Sequence, residues 1–73
     1  ASALGRHSAA VRQLKQAIKL KDDNAQFYLS LGLALQEDGK FFEAIRQYEE
    51  ALKVAPGLSE PHVNIGNILK QQD

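Results

Sequence analysis

FYLSLGLALQEDGKFFEAIRQYEEALKVAP, residues 27–56, is the stretch that decides the fold. As far as Asp38 the apolar positions Tyr28, Leu31 and Leu35 return at helical spacing. Asn24, just upstream, is suited to accept from the free N–H groups of a first helical turn. Gly39 follows, a residue that tolerates the left-handed conformation just past a helix end. From about residue 40 to residue 54 a second stripe forms: Phe41, Ala44, Ile45, Tyr48, Ala51 and Leu52. Pro56-Gly57 ends it. The stretch therefore predicts two helices, over 24–38 and 40–54, joined by a tight turn.

The flanks copy this hairpin. Sliding the chain by 34 positions leaves 39 pairs, of which 8 are identical. These are Gly5/Gly39, Ala10/Ala44, Arg12/Arg46, Gln13/Gln47, Ala17/Ala51, Lys19/Lys53, Gly32/Gly66 and Leu35/Leu69. Conservative pairs such as Val11/Ile45, Ile18/Leu52 and Leu31/Ile65 lie between them. The matches gather at small and apolar positions, where packing dictates residue type. Residues 6–20 repeat the second helix through Ala10, Val11, Leu14, Ala17 and Ile18. Residues 59–72 repeat the first through His62, Ile65, Gly66 and Leu69, with Ser59 as expected N-cap and Pro61 in the first turn. The fold class is all-α, with four helices of about 14 residues, each ~21 Å long. The period divides the chain into 1–23, the second helix of a partial unit; 24–57, a complete unit; and 58–73, the first helix of a following unit.

Glycine inside a helix costs ~1 kcal/mol relative to alanine. Gly32 and Gly66 incur that cost at one phase of the repeat, which points to close approach between helices. Ala44 and Ala51 are the small partners expected opposite, with Tyr28, Leu31, Leu35 and Tyr48 filling the space around them. Helix pairs of this kind bury their stripes by stacking on one another. Ile65, Ile68 and Leu69 are therefore expected to lack a neighbour at one end, and Leu4, Val11 and Leu14 at the other. Additional repeats or other chains are expected to cover both ends. The absence of an initiating Met is in keeping with a piece of a longer protein.

Composition narrows the functional classes. The chain has 73 residues, 9 Lys+Arg against 9 Asp+Glu, and 44 % apolar residues. That apolar share with zero net charge argues against disorder, and a neutral balance gives no electrostatic footprint for nucleic acid. With no Cys there is no disulfide, thiolate metal site or Cys nucleophile. No apolar run approaches the ~18–20 residues of a membrane-spanning helix. His7 and His62 have no second His at helical spacing, so no metal is expected. Ser2, Ser8, Ser30 and Ser59 lack a nucleophile-elbow context, and the five glycines are scattered rather than gathered into a phosphate loop. Neither a catalytic residue nor a cofactor is expected. The charges are uneven, however. Arg6, Arg12, Lys15, Lys19 and Lys21 fall in or just after the first helix, and Glu37, Asp38, Glu43, Glu49 and Glu50 in the middle pair. Such a division supports packing between stacked neighbours; its functional counterpart is a surface that selects a partner.

These residues resemble the tetratricopeptide repeat family, whose pattern is W-x2-L-G-x2-Y, then A-x3-F, then P, at a period of 34. The complete unit reads Tyr28-x2-Leu31-Gly32-x2-Leu35, then Ala44-x3-Tyr48, Ala51 and Pro56. Tyr28 and His62 replace the usual Trp, Leu35 and Leu69 the usual Tyr, and Asp22 stands where Pro is usual. The resemblance implies an α-solenoid, a right-handed superhelix of antiparallel helix pairs, and a protein–protein interaction scaffold. It further implies a concave groove, lined by the first helix of each unit, that receives a peptide or partner protein. Carried over by position, one side of that groove is Gln26, Leu29, Ser30, Leu33, Gln36 and Glu37. The other is Glu60, Val63, Asn64, Asn67, Lys70 and Gln71. Asn64 matches the phase at which some members, including those on O-linked sugar transferases, grip a peptide backbone with asparagine amides. A substrate-recruiting region of a larger enzyme such as a glycosyltransferase, or an assembly element of a large complex, is the alternative. Ser30, Glu60 and Asn64 do not reproduce the clamp with which other members hold chaperone carboxylates. Phe42, at a usually polar position, is the candidate contact outside the repeat.

Overall fold

The computed structural model describes residues 2–72, and their side chains over residues 9–71. Four helices run through the described residues: α1 Ser2–Leu20, α2 Ala25–Glu37, α3 Phe41–Val54 and α4 Glu60–Gln72. No strand occurs among the described residues. Helices adjacent in sequence are packed together, α1 on α2, α2 on α3 and α3 on α4. The Cα atoms occupy a slab of 36 × 36 × 14 Å. The predicted all-α array is therefore found. α1 starts earlier than the predicted residue 6, taking in Ser2-Ala3-Leu4-Gly5. The side chains of Ser2, Leu4, Arg6, His7 and Ser8, singled out above, lie outside the described residues, as does any contact of Gly5.

Local chemistry sets the helix ends. The Asn24 side chain accepts from the Gln26 N–H at 2.9 Å and starts α2. At the other end Gly39 takes a φ of 82°, the left-handed region open to glycine. The reversed backbone lets the Gly39 N–H reach the Gln36 carbonyl and the Lys40 N–H reach the Leu35 carbonyl, at 3.1 and 2.9 Å. These bonds satisfy carbonyls of the last helical turn, that of Leu35 accepting from the Asp38 N–H as well, at 3.2 Å. Lys40 then opens α3 without any side-chain cap. Beyond α3, the Leu58 N–H closes the Pro56-Gly57 turn on the Ala55 carbonyl at 3.2 Å. Pro61 is buried in the first turn of α4, where its missing N–H removes no helical bond.

The core is a single cluster of Leu29, Leu31, Leu35, Ala44, Tyr48 and Ile68. Val11, Leu14 and Ile18 of α1, Phe41 and Ile45 of α3, and Ile65 of α4 pack around it. Its tightest point joins α2 to α3. A Cβ placed on Gly32 would stand 2.5 Å from Cε1 and 2.7 Å from Cδ1 of Tyr48. The atoms nearest the open side of Gly32 thus belong to the ring of Tyr48, one of the large residues expected to fill the space around it. Ala44 and Ala51 stand one turn before and one turn after Tyr48, on the same side of α3, and both are wholly buried. Their small size on either side of the ring lets α3 come close enough to lay it on the glycine backbone.

Two expectations are corrected. Gly66 has nothing within 4 Å of a Cβ placed on it, and it is exposed. Its phase matches Gly32, but among the described residues no ring lies against it. Ile68, expected to be uncovered, is fully buried because it lies on the face of α4 that completes the core. Leu69, the next residue, points about 100° away around the helix and is 54 % exposed. Val11 and Leu14 are only partly covered by the core, in line with the expectation.

The two glycines separate in experiment. Gly32→Ala forces a methyl into a buried ring that has nowhere to retreat. It should lower stability by about 1–3 kcal/mol despite the better helix propensity of alanine. Gly66→Ala meets no neighbour and should raise stability by up to ~1 kcal/mol. Urea unfolding midpoints followed by circular dichroism measure both; equal responses would exclude a packing role for Gly32.

Candidate functional site

The first helix of each unit presents one stripe at helical spacing. On α2 it runs through Gln26, Ser30, Leu33 and Glu37, and on α4 through Glu60, Asn64, Asn67, Lys70 and Gln71. Gln26, Leu33 and Glu37 are exposed, while Ser30 is half-buried. Glu60, Val63, Asn67, Lys70 and Gln71 are exposed as well, and Asn64 is half-buried. Leu29 differs from the expectation. It belongs to the core at 3 % exposure, because it lies about 100° around α2 from Ser30 and faces the other helices. Leu33 remains as the apolar element of the α2 stripe, at 39 % exposure. His62, in the position of the family's usual Trp, is exposed.

One polar connection ties this surface to the core. The Tyr48 hydroxyl donates to Oε1 of Gln36 at 2.6 Å. The Asn64 side chain of α4 also lies near this phenol and influences it. Gln36 is therefore half-withdrawn from the surface and engaged inward. The sequence reading treats Tyr48 as packing alone. The available signal was tyrosine where the family pattern has Phe, since a buried tyrosine hydroxyl requires a partner. A second tyrosine anchors the α1–α2 connection, where the Tyr28 hydroxyl donates to the Asp22 carbonyl at 3.1 Å.

Burial pushes the Tyr48 phenol up to about 12; Asn64 opposes the shift, and the charges of Glu37 and Glu60 add to it. Tyr28 is raised as well, by desolvation and then by Asp22, Glu50 and Asp23. Elsewhere the surface charges form two pairs among the described residues, Lys53 with Glu50 at 3.0 Å and Lys40 with Asp38 at 3.8 Å. Exposed pairs of this kind contribute little stability. Among the described residues no group of three or more His, Cys, Asp or Glu side chains could hold a metal ion. No helix there is long and apolar enough to cross a membrane.

Comparison with known proteins agrees with this architecture. A family profile described as "TPR repeat" matches residues 3–39, and one described as "Tetratricopeptide repeat" matches residues 25–58. The chain belongs to the tetratricopeptide repeat family. Repeats of this family generally mediate protein–protein interaction. One relative is the small glutamine-rich tetratricopeptide repeat-containing protein 2 of Mycosarcoma maydis. It is 34 % identical over 55 residues, which are 75 % of this chain and 16 % of that protein.

The raised phenol makes stability depend on alkaline pH. An unfolded tyrosine ionises near 10, whereas Tyr48 in the fold holds its proton to about 12. Between those values the unfolded chain has lost a proton that the folded chain keeps, so stability falls as pH rises through that window. Tyr48→Phe removes this contribution and should flatten the fall. It should also cost about 1 kcal/mol at neutral pH for the lost hydrogen bond. Chemical denaturation at pH 8, 10 and 11.5 measures both effects, and an unchanged alkaline slope in the variant would show that Tyr48 does not control it.

Proposed function

We propose that the chain is a protein–protein interaction scaffold segment. It receives a peptide or partner protein on the concave groove lined by the first helix of each repeat, here α2 and α4. The observation that carries this reading is the placement of Asn64. It is half-buried beside a fully buried tyrosine while its neighbours on the stripe are exposed. An amide both donates and accepts, as peptide backbone recognition requires. Its partial burial limits the freedom it must give up on binding. Asn67 and Lys70, three and six residues further along α4, extend the same stripe with an amide and a cation. Gln26, Ser30, Leu33 and Glu37 form the facing wall, and Glu60 and Gln71 its ends.

Within this reading the chain keeps its division into 1–23, 24–57 and 58–73, and further repeats or chains cover its ends. Exposed Val63 and Leu69, at 58 % and 54 %, support cover over α4. No enzymatic step is assigned to these residues, and neither nucleic acid nor a membrane is an expected partner.

A random peptide library displayed on phage and selected against the immobilised chain tests the groove. For the selected peptides, Asn64→Ala and Lys70→Ala should each weaken binding by roughly tenfold, as truncation of a central contact does. Phe42→Ala, outside the stripe, should leave affinity unchanged. Full affinity in both groove variants, or a loss confined to Phe42→Ala, would remove this surface as the binding site.

A further inference from the structure

An open cavity of about 300 Å³ lies where α1 meets the turn between α2 and α3, lined by Val11, Arg12, Lys15, Asp38 and Lys40. None of these residues belongs to the groove stripe. Among the described residues three cations and one carboxylate therefore face one space, in a chain whose net charge is zero. Arg12 and Lys15 are three positions apart on α1, so their side chains emerge on one side. Like charges at that spacing repel, and neither has an ion-pair partner among the described residues. Asp38 is engaged with Lys40 at 3.8 Å, and its side chain is 12 % exposed against 58 % for Lys40. Lys40 is also the N-cap residue of α3, a helix of 14 residues that no side chain caps. The positive end of that helix begins at the cavity wall.

We propose that this cavity is an anion site that takes one oxyanion group, carboxylate or phosphoryl, carried on a side chain of a partner polypeptide. The Arg12 guanidinium supplies a planar fork that matches two oxygens, and Lys15 and Lys40 supply point charges. Val11 gives an apolar wall for the stem of the incoming side chain. Asp38 opposes the anion and so sets how much charge the site requires. The site stands apart from the groove, so its success or failure leaves the groove reading untouched.

The test is a titration of the isotopically labelled chain, followed by nuclear magnetic resonance at constant ionic strength. Inorganic phosphate is the probe in one arm and tetraglutamate in the other, with chloride as the control. Saturable shifts should appear at Arg12, Lys15 and Lys40. Arg12→Gln combined with Lys15→Gln should weaken the response by roughly tenfold. Both side chains are exposed, so the fold should persist in that variant. Asp38→Asn should tighten binding by roughly fivefold, by removing a like charge beside the anion. Lys53→Gln, on α3 and paired with Glu50, should change nothing. A stronger phosphate arm identifies a phosphoryl ligand and a stronger tetraglutamate arm a carboxylate ligand; either supports the site. Shifts that fail to saturate, that chloride reproduces, or that persist in the double variant would overturn it.

Discussion

Everything in this molecule depends on one contact, the ring of Tyr48 lying against the backbone of Gly32. Helices with ordinary side chains at their crossing stay 8–10 Å apart. Here the missing Cβ opens a notch on α2, and Ala44 and Ala51 clear the way for α3. The ring that enters the notch is the largest fully buried side chain among the described residues. The helical cost of one glycine is thus exchanged for burial of a whole aromatic group, which is several times larger.

The same side chain ends in a hydroxyl, and that end links stability to recognition. Its hydrogen bond to Gln36, with Asn64 alongside, lies between the core and the polar stripe. A phenylalanine would pack equally well but would leave the Gln36 carbonyl without this donor. The tyrosine therefore ties the Gln36 amide of α2 to α3, with Asn64 of α4 nearby. A binding surface braced from behind loses less freedom when a ligand arrives.

Much of this was legible in the sequence. The period of 34, the caps at Asn24 and Gly39, and the apolar stripes are local or periodic features, and the helices follow them closely. Less legible was anything that depends on rotation about a helix axis by a fraction of a turn. Leu29 and Ser30 are neighbours in sequence, yet one is core and the other borders the groove. Ile68 and Leu69 divide in the same way. Nor does periodicity state what is present on the far side. Gly32 and Gly66 share a phase, but only one of them has a ring to receive. The basic cluster on α1 was visible as a run of charge, but its convergence with Lys40 requires the turn at Gly39 to be folded.

Between Cα atoms the slab is 14 Å through its thin direction, about the depth of two packed helix layers. In such a body each helix packs chiefly on its neighbours in sequence, and one core runs through all four. Surface residues can then be exchanged over evolutionary time, one at a time, without rebuilding the interior. A lineage carrying this layer is free to alter what it recognises while the seam of small residues and rings persists unchanged.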